Sequence, residues 1–137
     1  MELEALARRI QVLEDIEAIK QLSLFTPDAI WDGGERLGRS EGREAIRTFF
    51  QGSSQRLPFA IHHVMNPMIE VDGDTATGQW YLFQPCTRAD QNQAFWLAAR
   101  DHETYLRVDG EWKFQRMTIV PSFYSPYDQG WARQRFL

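Results

Sequence analysis

The stretch that decides the fold runs from Phe59 to Pro85, FAIHHVMNPMIEVDGDTATGQWYLFQP. Two β-rich runs flank Asp72-Gly73-Asp74, and an Asp-Gly step between such runs is a strong hairpin signal, because tight turns need positive φ angles that Gly and Asp tolerate. The pattern repeats downstream, where AFWLAARDHETYLRV (94–108) and WKFQRMTIVPSFY (112–124) flank Asp109-Gly110-Glu111. Two long hairpins in succession predict an antiparallel sheet. Pro67 lacks the N–H that a central strand donates, so the first strand is expected at an edge or bulged at that point.

Upstream the period changes. Leu3, Leu6, Ile10, Leu13, Ile16 and Ile19 recur at helical spacing, which predicts an amphipathic helix over 2–22 whose apolar stripe needs a covering partner. Thr26-Pro27-Asp28 breaks it, and AIWDGG reads as a strand entering a turn. EGREAIRTFFQGSS reads as a short helix with Ala45, Ile46, Phe49 and Phe50 inward and Gly52 as its stop. Helices followed by long antiparallel strands form the α+β pattern in which helices cover one face of a curved sheet, leaving a pocket on the concave side. The tail SPYDQGWARQRFL is expected over the mouth of that pocket or against a second subunit.

Composition bounds the function. A chain of 137 residues, 43% hydrophobic and 13% aromatic, is read as a single domain over 1–137 with enough aromatic surface to line a cavity as well as a core. No stretch approaches the roughly 18 uninterrupted apolar residues of a membrane helix, and MELEALARRIQ carries acids with no apolar run, so a cytoplasmic location is expected. A net charge of −4 argues against nucleic acid as a partner. The lone Cys86 excludes an internal disulfide, and the three histidines lack metal-ligand spacing, so neither metal nor cofactor is expected. The expected partners are a small hydrophobic or aromatic ligand and further copies of the chain, as a dimer or trimer.

LEDIEAIKQL, LFTPDAIWDGG, EGREAIRTFF, HHVMNPMIEVDGDTATGQWYL and YLRVDGEWKF, in that order, resemble the SnoaL-like branch of the nuclear transport factor 2-like superfamily, close to its scytalone dehydratase-like group. The resemblance implies a cone: a strongly bent antiparallel sheet wrapped on N-terminal helices, the cystatin-like α+β barrel, with a deep apolar pocket. Aligned on the EVDGD hairpin, it places the family's strand histidine on His62, the bend on Asn66, a second dehydratase histidine on Cys86, and a polar strand position near Asp101. It also implies about twenty residues more after the first helix, a helical stretch supplying a Tyr and an Asp to the pocket. Here IKQL runs directly into SLFTPDA across Leu22 and Ser23, so that Tyr and Asp have no counterpart.

The chemistry such a pocket serves is removal of a proton beside a carbonyl. This requires a base with a pKa near the working pH and a donor for the developing enolate oxygen. His62 is the candidate acid or base, oriented by Asp101 or Glu103. Strand alternation puts Asp101, Glu103 and Tyr105 on one face with Phe95 and Leu97, and puts His102 on the other; either that face carries both acids inward, or the strand twists or bulges there and the acids face water. By the same alternation His62 and His63 point to opposite faces. Tyr105 and Tyr124 are candidate replacements for the missing donor. Trp31, Asn66, Trp80, Cys86, Phe95, Glu103 and Tyr105 are candidate ligand contacts, although packing suits Cys86 and a bulge suits Asn66 equally well. The function expected is that of a small cofactor-independent lyase or isomerase, dehydratase-like, acting on a small cyclic or aromatic carbonyl compound. The competing reading is a non-catalytic ligand-binding or oligomerisation module of the same fold, favoured by the missing Tyr and Asp.

Overall fold

A computed structural model describes residues 2–20 and 24–137. The junction of Leu22 with Ser23, where the resemblance implies further residues, lies outside the described residues. The elements run α1 (Leu3–Lys20), β1 (Phe25–Asp32), α2 (Gly34–Leu37), β2 (Arg39–Glu41), α3 (Arg43–Gln51), α4 (Ser53–Arg56), β3 (Phe59–Ala60), β4 (His63–Asp72), β5 (Thr75–Arg88), β6 (Gln93–Val108), β7 (Glu111–Pro126) and α5 (Gly130–Arg133).

Both hairpins close on two residues. Gly73-Asp74 turns β4 into β5 with Gly73 at φ 61°, and Asp109-Gly110 turns β6 into β7 with both residues at positive φ, 51° and 79°. These are the mirror-image turns whose twist matches that of the flanking strands. The seven strands form one sheet in the order β2-β1-β7-β6-β5-β3, with β4 on the same side of β5 as β3. It is not wholly antiparallel: β1 runs parallel to β7, so the sheet is mixed and curls as a half-barrel onto the helices. Thr26-Pro27-Asp28 is part of β1, where the ladder with β7 slips between Phe25 and Ile30.

The expected bulge is present. His63 to Met65 pair with Phe83 to Tyr81, but Met68 pairs with Gln79, so the ladder slips by one residue around Asn66 and Pro67. Asn66 takes the left-handed φ of 56° that a short polar side chain tolerates.

The core lies between sheet and helices. Ala29, Trp31, Ile46, Leu82, Leu97, Ala99 and Ile119 form its main cluster, and Ile19, Ala76, Tyr105 and Trp112 a second one beneath α1. In α3 only Ile46 is buried; Ala45 is exposed, while Phe49 and Phe50 pack on Trp31 with ring centroids 4.8 and 5.7 Å away.

The helix α1 departs most from expectation. Its apolar stripe is not covered: Leu3, Leu6, Ile10 and Leu13 are exposed, Leu3 at 84%. The buried positions are Ile19 and, against the pattern, the acid Asp15. Asp15 Oδ1 accepts from Arg107 Nη1 at 2.8 Å, Trp112 Nε1 at 3.1 Å and Gln11 Nε2 at 3.1 Å. Arg107 in turn donates to Asp74 Oδ1 at 2.8 Å and to the Gly73 carbonyl at 2.9 Å, so one acid fastens α1 to the turn ends of both hairpins.

In the tail, Trp131 of α5 stacks on Phe123 with centroids 5.0 Å apart. Phe136 bridges to Tyr124 of β7, and the guanidinium groups of Arg36 and Arg135 stand 4.1 and 5.3 Å from its ring centroid.

Candidate active site

Strand alternation along β6 is uninterrupted on the inner side, where Phe95, Leu97, Ala99, Asp101, Glu103 and Tyr105 are all buried. The strand therefore does not turn its two acids to solvent. Asp101 is 5% exposed and Glu103 6%, which is rare for carboxyl groups unless they are paired or functional.

The two carboxyls differ in what holds them. The Tyr105 hydroxyl donates to Glu103, and Trp80 Nε1 donates to the Tyr105 oxygen at 3.2 Å. Gly78, directly opposite Glu103 in the ladder, makes this possible: a Cβ there would stand 2.5 Å from the Tyr105 hydroxyl. Asp101, opposite Trp80 on β5 and Ile119 on β7, has no such support, and its Oδ1 is buried without a partner.

Burial, and then the neighbouring charge of Glu103, push the Asp101 carboxyl up to about 7. Burial also raises Glu103, against the pull of Tyr105 and Trp80, and raises Tyr105 well above the ordinary phenol range. A carboxyl poised near neutrality can give or take a proton at physiological pH, which an ordinary aspartate cannot.

These carboxyls line a cavity of about 1290 Å³ between the concave sheet and the helices. Its apolar wall includes Ile19, Trp31, Leu37, Leu82, Leu97 and Ile119. His62 and Val64 face into it, whereas the His63 ring lies 6.4 Å from Phe83 on the other side of the sheet. His62 falls in the short break between β3 and β4, exposed on its solvent side, and the surrounding walls lower its pKa below the usual histidine value. It is therefore neutral at pH 7, the form in which imidazole accepts a proton.

Both His62 and Asp101 line the cavity, yet they do not touch. The register continues through the break, setting His62 level with Gln84, whose β6 partner is Leu97. Asp101 is four residues further along β6, a span of about 13 Å. Among the described residues no hydrogen bond or ion pair joins His62 to Asp101 or Glu103, so neither acid orients the imidazole.

The other expected contacts divide. Trp31, Trp80 and Glu103 line the cavity. Cys86, Phe95 and Tyr105 are buried behind the lining, and burial raises the Cys86 thiol against the pull of Arg88, which keeps it an unreactive thiol. Asn66 is exposed on the bulge. Tyr124 lines the cavity, its hydroxyl raised mainly by burial, and His102 is exposed on the outer face.

Among the lining residues that sequence reasoning missed, Gln84 is the buried polar one. Its side chain faces the cavity next to His62; its signal was phase, since it alternates with Leu82 and Cys86 on the inward face. Among the described residues no group of three or more His, Cys, Asp or Glu side chains stands together as a metal site.

The SnoaL-like domain model matches residues 20–118, nearly three quarters of the sequence. The chain belongs to the SnoaL-like family. Among solved structures, this SnoaL-like protein is similar to the hexachlorocyclohexane dehydrochlorinase LinA-type3 from Novosphingobium barchaimii LL02, with 27% identity, coverage of 92% of this chain and 94% of that one, and a TM-score of 0.67. It shares its fold with a scytalone dehydratase candidate from Novosphingobium aromaticivorans DSM 12444, at 17% identity, 92% coverage of both chains and a TM-score of 0.70. It also shares it with an NTF2-like protein of cystatin-like fold from Novosphingobium aromaticivorans, at 21% identity, coverage of 96% and 94%, and a TM-score of 0.72. No curated protein matches the sequence. Family and neighbours together make this SnoaL-like chain a small-molecule lyase-type or ligand-binding fold. Among its described residues no helix is long and apolar enough to cross a membrane.

Proposed function

We propose that this SnoaL-like protein is a cofactor-independent lyase or isomerase that moves a proton on a cyclic or aromatic carbonyl compound. The observation that carries the reading is Asp101, a buried carboxyl with one unpartnered oxygen in the wall of an apolar cavity. An unpartnered acid is costly to keep in an apolar wall, and proton transfer is the role that accounts for it.

In this reading neutral His62 takes a proton from a carbon conjugated to the carbonyl. The electron pair moves through the ring system to the carbonyl oxygen, which takes the proton of Asp101. Returning a proton to a different carbon gives an isomer. Where a β-hydroxyl is present, the pair expels it, the imidazolium proton leaves with it as water, and the enol proton goes back to Asp101. Both groups end as they began. The separation of His62 and Asp101 along the sheet favours fused rings over a single ring, and the cavity volume has room for them.

The test is deuterium incorporation at the γ-carbon of a fused bicyclic enone, an octalone, in heavy water, followed by NMR. The wild type should accelerate exchange, and His62→Ala should lower the rate by about 10²-fold or more with an unchanged circular dichroism spectrum. Exchange at the wild-type rate in His62→Ala removes His62 from the reaction, and no exchange in the wild type with any fused-ring ketone sinks the enzyme reading. The pH profile should be bell-shaped. Falling pH protonates the His62 base below its ordinary value of 6.5, and rising pH strips the Asp101 donor near 7. The same proposal includes a second copy of the chain over the exposed Leu3, Leu6, Ile10 and Leu13 stripe, checked by sedimentation before and after Leu6→Glu.

A further inference from the structure

The two carboxyls of β6 are equally buried, but only one of them is provided with donors. Glu103 receives the Tyr105 hydroxyl, which is itself held by the Trp80 indole, in a space that exists because residue 78 has no side chain. Glycine inside a central strand weakens it, so its presence opposite Glu103 marks a close approach that the fold requires. Two carboxylates this close cannot both ionise without mutual repulsion, and the pair shares a proton below the pH at which both are charged. That proton settles on the group with fewer donors to its anion, and Asp101 Oδ1 has none.

We propose that Glu103, seated by Tyr105 and Trp80 in the gap left by Gly78, is a positioning residue that holds the negative charge of the pair and so keeps Asp101 as the proton donor of the cavity. It rests on the reading of Asp101 as the acid and adds which carboxyl carries the proton, and why.

Among the described residues nothing else facing the pair competes for this role. On β5 the inward neighbours are Gly78, Trp80 and Leu82, and on β7 they are Met117 and Ile119; none of these titrates. On β6 itself the titratable neighbour is Tyr105, which stays a neutral phenol. The cavity's remaining charged groups, Lys20, Arg36, Arg56, Arg88 and Asp90, come from α1, α2, α4 and the β5 end, where solvent reaches them, as it does His62. Among these acids and bases, Glu103 is the charge that acts on Asp101.

The experiment is a side-chain carboxyl titration by carbon NMR on protein labelled at aspartate, with the Asp101 signal assigned by its loss in Asp101→Asn. In Glu103→Gln the Asp101 midpoint should fall by about one pH unit or more, because the repelling charge is gone. In Tyr105→Phe it should also fall, because Glu103 then competes for the shared proton. An Asp101 midpoint unchanged in Glu103→Gln overturns the proposal; if that variant does not fold, an unchanged midpoint in Tyr105→Phe does so. The readout needs no substrate and is independent of turnover. An inactive protein whose Asp101 midpoint shifts as expected would refute the enzymatic reading and leave the role of Glu103 standing.

Discussion

Replacing Asp101 by Asn is expected to abolish ketone exchange and, above neutral pH, to make the protein more stable. The first effect follows from losing the proton donor, which is worth about 10²–10⁴ in rate. The second follows from the cost of a charged aspartate in an apolar wall. Because the native carboxyl titrates near 7 rather than 3.8, the folded state binds its proton more tightly than the unfolded state does. Between those values the native state carries more protons, so wild-type stability falls as pH rises from about 4 to about 7 and levels off above. A displacement of about three units corresponds to roughly 4 kcal/mol, from which the amide recovers about 3 kcal/mol after keeping an unpartnered polar group. Urea unfolding at pH 5 and pH 8 checks both parts: the wild type should lose stability between them and Asp101→Asn should lose clearly less, keeping only the share due to the raised Glu103 carboxyl. A variant less stable than wild type at pH 8 would mean that Asp101 is an ordinary structural acid.

Asp15→Ala is expected to cost about 3–4 kcal/mol, an unusually large effect for an acid on a surface helix. The substitution strands three donors at once, among them the buried Trp112 indole and an Arg107 guanidinium only 22% exposed. Arg107 keeps Asp74 and the Gly73 carbonyl, which limits the loss on its side, whereas the indole N–H has no second acceptor within the cluster. Asp15→Asn retains an acceptor oxygen and should lose less than half as much. The midpoint of urea unfolding measures both. Amide exchange should rise across α1 in the alanine variant, since among its described residues Ile19 is then the remaining buried anchor of the helix on the second core cluster. Equal midpoints for Asp15→Ala and wild type would show that α1 docks without this acid.

The hairpins were legible because their determinants are local: two turns rich in Gly and Asp, β-branched and aromatic alternation, and one proline that cannot sit in a central ladder. That Asp101 and Glu103 share a face with Phe95 and Leu97 was legible for the same reason, since period alone sets the face of a strand residue, but period does not say which face turns inward. The site's internal bonding was not legible. The contact of Tyr105 with Glu103 is local, but its anchoring by Trp80 and the space beside Gly78 come from β5, and a single strand carries no record of its neighbour's register. The helix α1 misled in a more instructive way. Its apolar spacing is real, but the face that turns inward near its end is chosen by Arg107 and Trp112, far along the chain, which draw Asp15 under. The parallel pairing of β1 with β7 was equally invisible, because it joins segments separated by most of the sequence and leaves no turn signal behind.

The broken margin formed by β3 and β4 has a consequence for life at high concentration. An open sheet edge is a template on which another chain can add a strand, and repeated addition builds fibrils. This edge is interrupted where Ile61 and His62 separate the two strands, and interrupted again where Asn66 adopts its left-handed twist and Pro67 offers no N–H. A would-be recruit finds only short straight segments, each too brief to hold it. The exposed Val64, Met65 and Met68 therefore lie on a margin that is a poor template for strand addition. The same irregularity that places His62 at the cavity thus also guards the edge against runaway self-association.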